Sequence, residues 1–327
     1  MNNTISLQDI DFIGSNLKRP ECVLCTADGI VHVANWDGGI SRIHPDGRVE
    51  HLLADTITAP LQIKPNGICL LEDGSYLLAH LGDTDGGVYK LDKIGQLTPF
   101  LTDINGQPLP PSNYVHLDAV GRIWITVSTR LIPRAEGYKA SVADGFIILV
   151  HEGKARIVAD KLGYTNECVV DPAGEYLYVN ETFGRRMSRF RIGTDGTLGE
   201  RETVTQFGAG SWPDGLVFDI EGNIWVTSII SNRLIKVMPD GKQEIYLQDA
   251  EIGRLNEIEA AYLMENLGRP HLDNVHSERL QNISSLAFGG TDLRDGYLGC
   301  LLGDQIAKMR MPVAGYAPVH WEFVGHA

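Results

Sequence analysis

Five oxygen-bearing side chains recur at one position of a repeated segment, and together they have the chemistry of a hard-cation site. They are Glu21, Asn66, Asn113, Asn166 and Asp214. Each stands eight residues before a glycine: Gly29, Gly74, Gly121, Gly174 and Gly222. A looser sixth copy puts Ser284 or Ser285 in the same place, with its Asp295-Gly296 turn further on. The residues that follow are largely apolar, and no Lys or Arg occupies the equivalent slot. A buried ring of unpaired acids and amides would be very costly, and a bound divalent cation removes that cost. Carboxylate and amide oxygens are hard ligands, so calcium is the first expectation, with magnesium, manganese or zinc as alternatives. Coordination by Glu21, Asn113, Asn166 and Asp214, completed by water, would leave exchangeable positions, which a Lewis-acid catalyst requires. Asn66, followed by Gly67, reads as a structural residue or as a contact to water or substrate. The competing reading of any one position is a polar residue that satisfies loop backbone, because Asn-Gly and Asp-Gly are common turn pairs.

The elements that must position this ring follow from the same repeat. The copies are PECVLCTADGIVHVA from Pro20, PNGICLLEDGSYLLA from Pro65, SNYVHLDAVGRIWIT from Ser112, TNECVVDPAGEYLYV from Thr165 and PDGLVFDIEGNIWVT from Pro213, with ISSLAFGGTDLRDGYLG from Ile283 as the sixth. Each reads as a β-hairpin: Asp-Gly and similar pairs supply the positive φ of a tight turn, and the flanking runs are β-branched and aromatic. A second hairpin follows most copies, as in ISRIHPDGRVEHLL and LIKVMPDGKQEIYL. About four strands per repeat of 40 to 50 residues make a propeller blade. Six blades fill residues 1–327 as one all-β domain, a six-bladed β-propeller. The first strand of each blade lines the central channel, so equivalent positions ring the axis at one height. A short helical insertion is expected between blades five and six, within residues 250–282, where Leu255, Ile258, Tyr262 and Leu263 have helical spacing. Such an insertion reads equally as a lid over one face or as a structural excursion. Ile5 to Ile13 and Val319 to Val324 are the segments expected to close the ring within the last blade.

Composition narrows the function classes. The formal net charge is -14, which argues against binding nucleic acid or an anionic membrane through non-specific charge. No apolar run is long enough for a transmembrane helix, and the start, MNNTISLQDI, lacks the basic and apolar stretches of a secretory signal. Five cysteines, an odd number, fit a reducing cytoplasm. Cys22 and Cys25 form a C-x-x-C pair, but no second pair completes a zinc site, and strand alternation puts the two on opposite faces. There is no G-x-S-x-G elbow, Walker A loop or H-E-x-x-H motif. Around the ring, Tyr114 and Trp212 stand next to or near ring positions and would shape an apolar pocket. His116 lies two positions past Tyr114 and would face the channel, and Tyr164 and Phe183 also sit near the motifs. For each of these, ordinary packing is the alternative.

The chain resembles the calcium-dependent six-bladed propellers of the senescence marker protein, gluconolactonase and luciferin-regenerating enzyme family. The resemblance spans nearly the whole chain and is best at Pro20-Glu21, the TNECVVDPAGEYLYVNET segment from Thr165, the PDGLVFDIEGNIWV segment from Pro213, and the AFGG segment from Ala287. It implies metal ligation by Glu21, Asn166 and Asp214, a further metal or substrate contact at Asn113, and a second role for Asp214 as the catalytic carboxylate. It also implies a small-molecule lactone or ester as substrate. One departure matters. Family members that open sugar lactones usually read R-x-N-D in the third blade, whereas this chain reads Pro111-Ser112-Asn113-Tyr114. The ligand Asn is kept, but both sugar-reading neighbours are lost, so a less polar lactone or ester is as plausible as a simple sugar lactone. The expected reaction is attack of water on a polarised carbonyl, with Asp214 as general base or, alternatively, as nucleophile. The rivals are another small ester or a phosphorus ester on the same metal, and a non-enzymatic binding propeller.

Overall fold

The computed structural model describes residues 4–57, 59 and 61–323. Six four-stranded antiparallel sheets succeed one another along the chain, and in five of them the four strands are consecutive. The innermost strands are Val23–Cys25, Pro65–Leu70, Ser112–Leu117, Thr165–Val170, Trp212–Phe218 and Ile283–Gly289. Adjacent innermost strands contact one another around the ring. Exposure rises outward: the first two strands of the second blade are wholly buried, while the fourth strand of the fourth blade, Leu198–Gln206, is mostly exposed. Apolar side chains between neighbouring sheets form the core, and the inner strands carry the largest share of it. A small hairpin, Asp103–Ile104 with Gln107–Pro108, lies between the second and third blades.

The repeat glycines sit where hairpin sterics demand them. Gly29, Gly74, Gly121, Gly174 and Gly222 have φ of 83°, 77°, 82°, 72° and 81°, a region that other residues rarely occupy. In two blades the turn also ties down a core tryptophan. The Asp118 carboxylate accepts from Trp124 Nε1, and that of Asp219 accepts from Trp225 Nε1, both at 2.9 Å.

The last blade closes the ring by a different rule from the other five. Its strands Ile283–Gly289, Asp295–Cys300 and Ile306–Arg310 are completed by the N-terminal strand Asp11–Ile13, paired antiparallel with Asp11 opposite Lys308 and Ile13 opposite Ile306. Only part of the expected N-terminal piece is extended, because Leu7–Asp9 forms a 3₁₀ turn capped by Ser6. The expected C-terminal strand is not one. Val319–Glu322 is a 3₁₀ turn after Pro318, and Val324 lies outside the described residues. The N-terminal strand already fills the vacant edge, and the C-terminal segment crosses to the first blade, where Ala27 N–H donates to the carbonyl of Trp321 at 2.8 Å.

Between the fifth and sixth blades the chain forms two helices, α1 (Ile252–Leu263) and α2 (Arg269–Asp273). Glu251 caps α1 by accepting from Gly253 N and Arg254 N. Leu255, Ile258 and Tyr262 are the buried face, but Leu263 is 71% exposed at the helix end. The insertion is clamped to the propeller. Tyr262 Oη donates to the carbonyl of Phe183 at 2.6 Å, and the Arg185 guanidinium lies over the rings of both Trp212 and Tyr262 while paired with Glu259 at 2.8 and 2.5 Å. All five cysteines are free and buried, with Cys22 and Cys25 in different core clusters. Among the described residues no helix is long and apolar enough to cross a membrane.

Candidate active site and metal centre

The ring residues stand where the inner strands break register. Irregular pairing falls between Pro65 and Ile68, Ser112 and Tyr114, Thr165 and Cys168, Pro213 and Leu216, and Ile283 and Leu286. Asn66, Asn113, Asn166, Asp214 and Ser284 each lie inside one of these breaks, and Glu21 lies just before its strand. A bulge re-aims a side chain that strict alternation would send between the sheets. Asn66-Gly67 and Asp214-Gly215 are therefore strand interiors rather than turns. Their glycines answer to crowding: a Cβ on Gly67 would stand 2.6 Å from Tyr114 Cα, and one on Gly215 would stand 2.7 Å from the Ser284 carbonyl oxygen.

Glu21, Asn66, Asn113, Asn166 and Asp214 all line one cleft, of about 370 Å³ including its solvent-facing mouth. Four buried oxygens of the ring residues have no hydrogen-bond partner: Glu21 Oε2, Asn113 Oδ1, Asn166 Oδ1 and Asp214 Oδ1. Buried polar atoms are nearly always paired, so four orphaned oxygens turned into one cleft suit a cation. The rest of the site fixes them. Asn66 Nδ2 donates to Glu21 Oε1 at 2.9 Å and to the Asn113 carbonyl at 3.1 Å. Asn166 Nδ2 donates to Thr182 Oγ1, and Thr182 Oγ1 donates to the Pro213 carbonyl. Asn180 Nδ2 donates to the carbonyls of Asp214 and Gly215, and the hydroxyls of Ser284 and Ser285 both donate to the Glu21 carbonyl at 2.8 Å.

Electrostatics give the same picture. Burial, opposed by the charge of Arg19 and the hydrogen bond from Asn66, pushes the Glu21 carboxyl up to about 7. Burial, then the charge of Glu21, raises Asp214 well above the usual carboxylate range, against Arg19 and Asn166. Two buried carboxylates that Arg19 only partly offsets resist ionisation together. A divalent cation among them reverses that, and an all-oxygen set of two carboxylates and two amides suits calcium.

Other residues singled out by sequence fall elsewhere. Tyr114 and His116 line a second, larger cavity of about 390 Å³ formed by the following residues of the inner strands, at the other end of the channel. Phe288, Tyr316 and His320 also line it, and one of its carboxylates, Glu167, accepts from the Leu216 amide at 3.3 Å. His116 Nε2 accepts from the Val170 amide. Trp212 is fully buried against Tyr262 and Arg185 under the helical insertion. Tyr164 and Phe183 do line the cleft, in a three-ring cluster with Tyr138 at centroid separations of 4.6 to 5.3 Å.

Sequence reasoning missed three arginines. Arg19, Arg134 and Arg269 line the same cleft. Arg19 adopts φ 46°, lies over the Trp36 ring and donates to Asn66 Oδ1 at 2.9 Å. It stands two positions before the ring slot, so the repeat register passed over it. Arg134 comes from a 3₁₀ turn, Arg134–Gly137, in a loop of the third blade, and Arg269 opens α2. Neither carries a local signal of its place over the axis. Arg269 and Leu272 bring the insertion to the wall of this cleft.

Comparison with known proteins agrees with this architecture. Residues 62–249, more than half of the chain, match the SMP-30/Gluconolactonase/LRE-like region. A 6-deoxy-6-sulfogluconolactonase of Pseudomonas putida is 28% identical over 210 residues, which is 63% of this chain and 66%, just under two-thirds, of that protein. Among solved structures, a gluconolactonase from Xanthomonas campestris superposes with a TM-score of 0.67 at 16% identity, over 93% of this chain and 89% of that one. The calcium-binding protein regucalcin from Agrobacterium tumefaciens does so with a TM-score of 0.65 at 19% identity, over 93% and 96%. The two solved structures establish the fold; the extent of the family match establishes that this chain belongs to the SMP-30/gluconolactonase/LRE-like family.

Proposed function

We propose that this chain is a calcium-dependent lactonase whose single propeller domain holds one divalent cation through Glu21, Asn113, Asn166 and Asp214. The observation that carries the reading is the set of four orphaned buried oxygens that the ring residues bring to one cleft. Family membership and the match to 6-deoxy-6-sulfogluconolactonase support a lactone as substrate. The likeness of fold to regucalcin is compatible with calcium, and five free cysteines are consistent with a reducing cytoplasm.

A cation held there supplies Lewis-acid polarisation of a substrate carbonyl. Asp214 takes a proton from water as its oxygen bonds to the carbonyl carbon. The ring C–O bond then breaks, and the leaving alkoxide receives the proton, which gives the hydroxy acid. Asn180 and Thr182 hold the Asp214 strand through its backbone carbonyls, so the carboxylate keeps its aim. The rings of Tyr138, Tyr164 and Phe183 form an apolar wall that shields the reaction from bulk water.

The test is proton release across a panel of sugar and alkyl lactones, in chelator and with calcium restored, beside Asp214→Ala. Turnover that needs calcium and is lost in the variant is the expected result. No hydrolysis of any lactone by calcium-loaded protein would refute the reading and move weight to another ester on the same centre, or to a binding propeller.

A further inference from the structure

The cleft above the ring has more positive charge than its own acids can balance. Glu21 and Asp214 carry two negative charges, and a divalent cation cancels both. Arg19, Arg134 and Arg269 then remain around the same cleft. Only Arg269 has an acid of its own, being paired with Asp273 at 2.9 and 2.8 Å at the rim, where its side chain is 34% exposed. Arg19 is occupied with Asn66 and Trp36. Arg134 is different. The acid in its own turn, Glu136, pairs with Lys139 instead at 3.0 Å, and among the described residues no carboxylate stands within ion-pairing distance of Arg134. Its surroundings are the aromatic side chains of Tyr138 and Tyr164 and the more distant charge of Glu21.

A guanidinium without a carboxylate partner, facing a reaction cleft, is a recognition group for a planar or tetrahedral oxyanion, which it can grip through two parallel hydrogen bonds. A neutral lactone offers nothing to offset it. We propose that the substrate is a lactone bearing a fixed oxyanion (a sulfonate, phosphate or carboxylate) on its exocyclic arm, anchored by Arg134 with Arg269 at the rim. The anchor explains how this chain orients a substrate although Pro111 and Tyr114 replace the third-blade Arg and Asp that read sugar hydroxyls. This inference rests on the lactonase reading for the ring, but not for the anion site itself.

The experiment compares matched δ-lactones in calcium that differ only in the exocyclic arm, ending in hydroxyl, sulfonate, phosphate or carboxylate. At least one anionic lactone is expected to exceed the neutral one in kcat/KM by about tenfold or more. That ratio should fall toward one in Arg134→Gln, stay partly in Arg134→Lys, and narrow in high salt. The three arms identify which oxyanion fits. Equal kcat/KM for the neutral and all anionic lactones overturns the proposal. If no lactone turns over, the lactonase reading fails, and calorimetry still decides the anion site. Open-chain sugar acids with and without a terminal sulfonate, phosphate or carboxylate would be titrated into calcium-loaded wild type and Arg134→Gln. Tighter binding of an anionic ligand that the variant loses sustains the site; equal binding rejects it. Arg269→Gln, at the rim, serves as the second variant if Arg134→Gln fails to fold.

Discussion

At the residue scale, the site trades stability for chemistry. Glu21 and Asp214 lie buried, and the charge of Glu21 adds to burial in raising the affinity of Asp214 for a proton. Asp214→Asn keeps the shape and removes one acid. It should cut kcat by about 10²–10⁴-fold, yet raise the melting temperature of the protein in chelator, because a buried repulsion is relieved. The same variant should lose most of the stabilisation that calcium gives the wild type. Melting curves with and without calcium, beside initial rates, check both halves; a variant that melts lower in chelator would contradict the argument. The ring was legible in the sequence because the repeat repeats it: Glu21, Asn66, Asn113, Asn166 and Asp214 share one register against a turn glycine and share one cavity. Arg19 was not, since it precedes that register and reaches the cleft through a left-handed backbone. Arg134 and Arg269 were not, since loop and insertion residues carry no periodicity that says where they fold back. His116 lines the other cavity, because the ring residues sit in bulges while His116 follows them along the same strand.

At the element scale, five of the six innermost strands carry a register break at the ring position, and glycines let neighbouring inner strands approach. Gly215→Ala would drive a methyl into Ser284 and Ser285 of the next blade. The expected cost is about 1–3 kcal/mol of stability with a drop in kcat, read by denaturant melts and rates together. The blades are also stitched by polar contacts. His32, on the second strand of the first blade, meets Thr26 Oγ1 at 3.0 Å and Tyr76 Oη of the second blade at 2.8 Å. Burial, then the charges of His320, Arg42 and His44, lowers its pKa to about 3. Unfolding restores the ordinary value, so the unfolded chain binds the proton first. The neutral histidine thus contributes stability that is complete above about pH 6.5 and is lost on acidification toward pH 3, on the order of 1.4 kcal/mol per pH unit. His32→Gln should flatten the acid side of the stability profile. An unchanged slope between pH 6 and 4 would place the acid sensitivity elsewhere. The insertion is held by the Arg185–Glu259 pair, whose side chains are largely buried. Removing one partner with Glu259→Ala should destabilise by about 3–5 kcal/mol and speed proteolysis within residues 250–282. Sequence periodicity found this helix and its buried face, and erred only at Leu263, where the helix ends.

At the scale of the whole molecule, the ring is closed by one short N-terminal strand laid on the last blade. Closure explains why six sheets leave no open seam between the first and last repeats. Removing residues 1–13 would strip that strand and bare the edge of Ile306–Arg310. The expected result is a loss of about 2 kcal/mol or more, on the order of 5 °C in Tm, with concentration-dependent aggregation; an unchanged Tm would show that the strand does not secure the ring. The propeller and its blade count were legible because hairpin signals recur at a constant spacing. The manner of closure was only half legible: two terminal segments competed for one edge, and the sequence alone could not say that the C-terminal one turns away as a 3₁₀ turn.

The central claim is that the four orphaned oxygens form one cation site, and calorimetric titration of calcium into chelator-treated, dialysed protein tests it most directly. The account predicts one site per chain in the wild type, with binding abolished in Glu21→Gln and in Asp214→Asn and weakened in Asn166→Ala. It further predicts stabilisation of about 2.7 kcal/mol at a calcium concentration 100 times the Kd. Absence of calcium binding, or binding that survives both carboxylate substitutions, would contradict it.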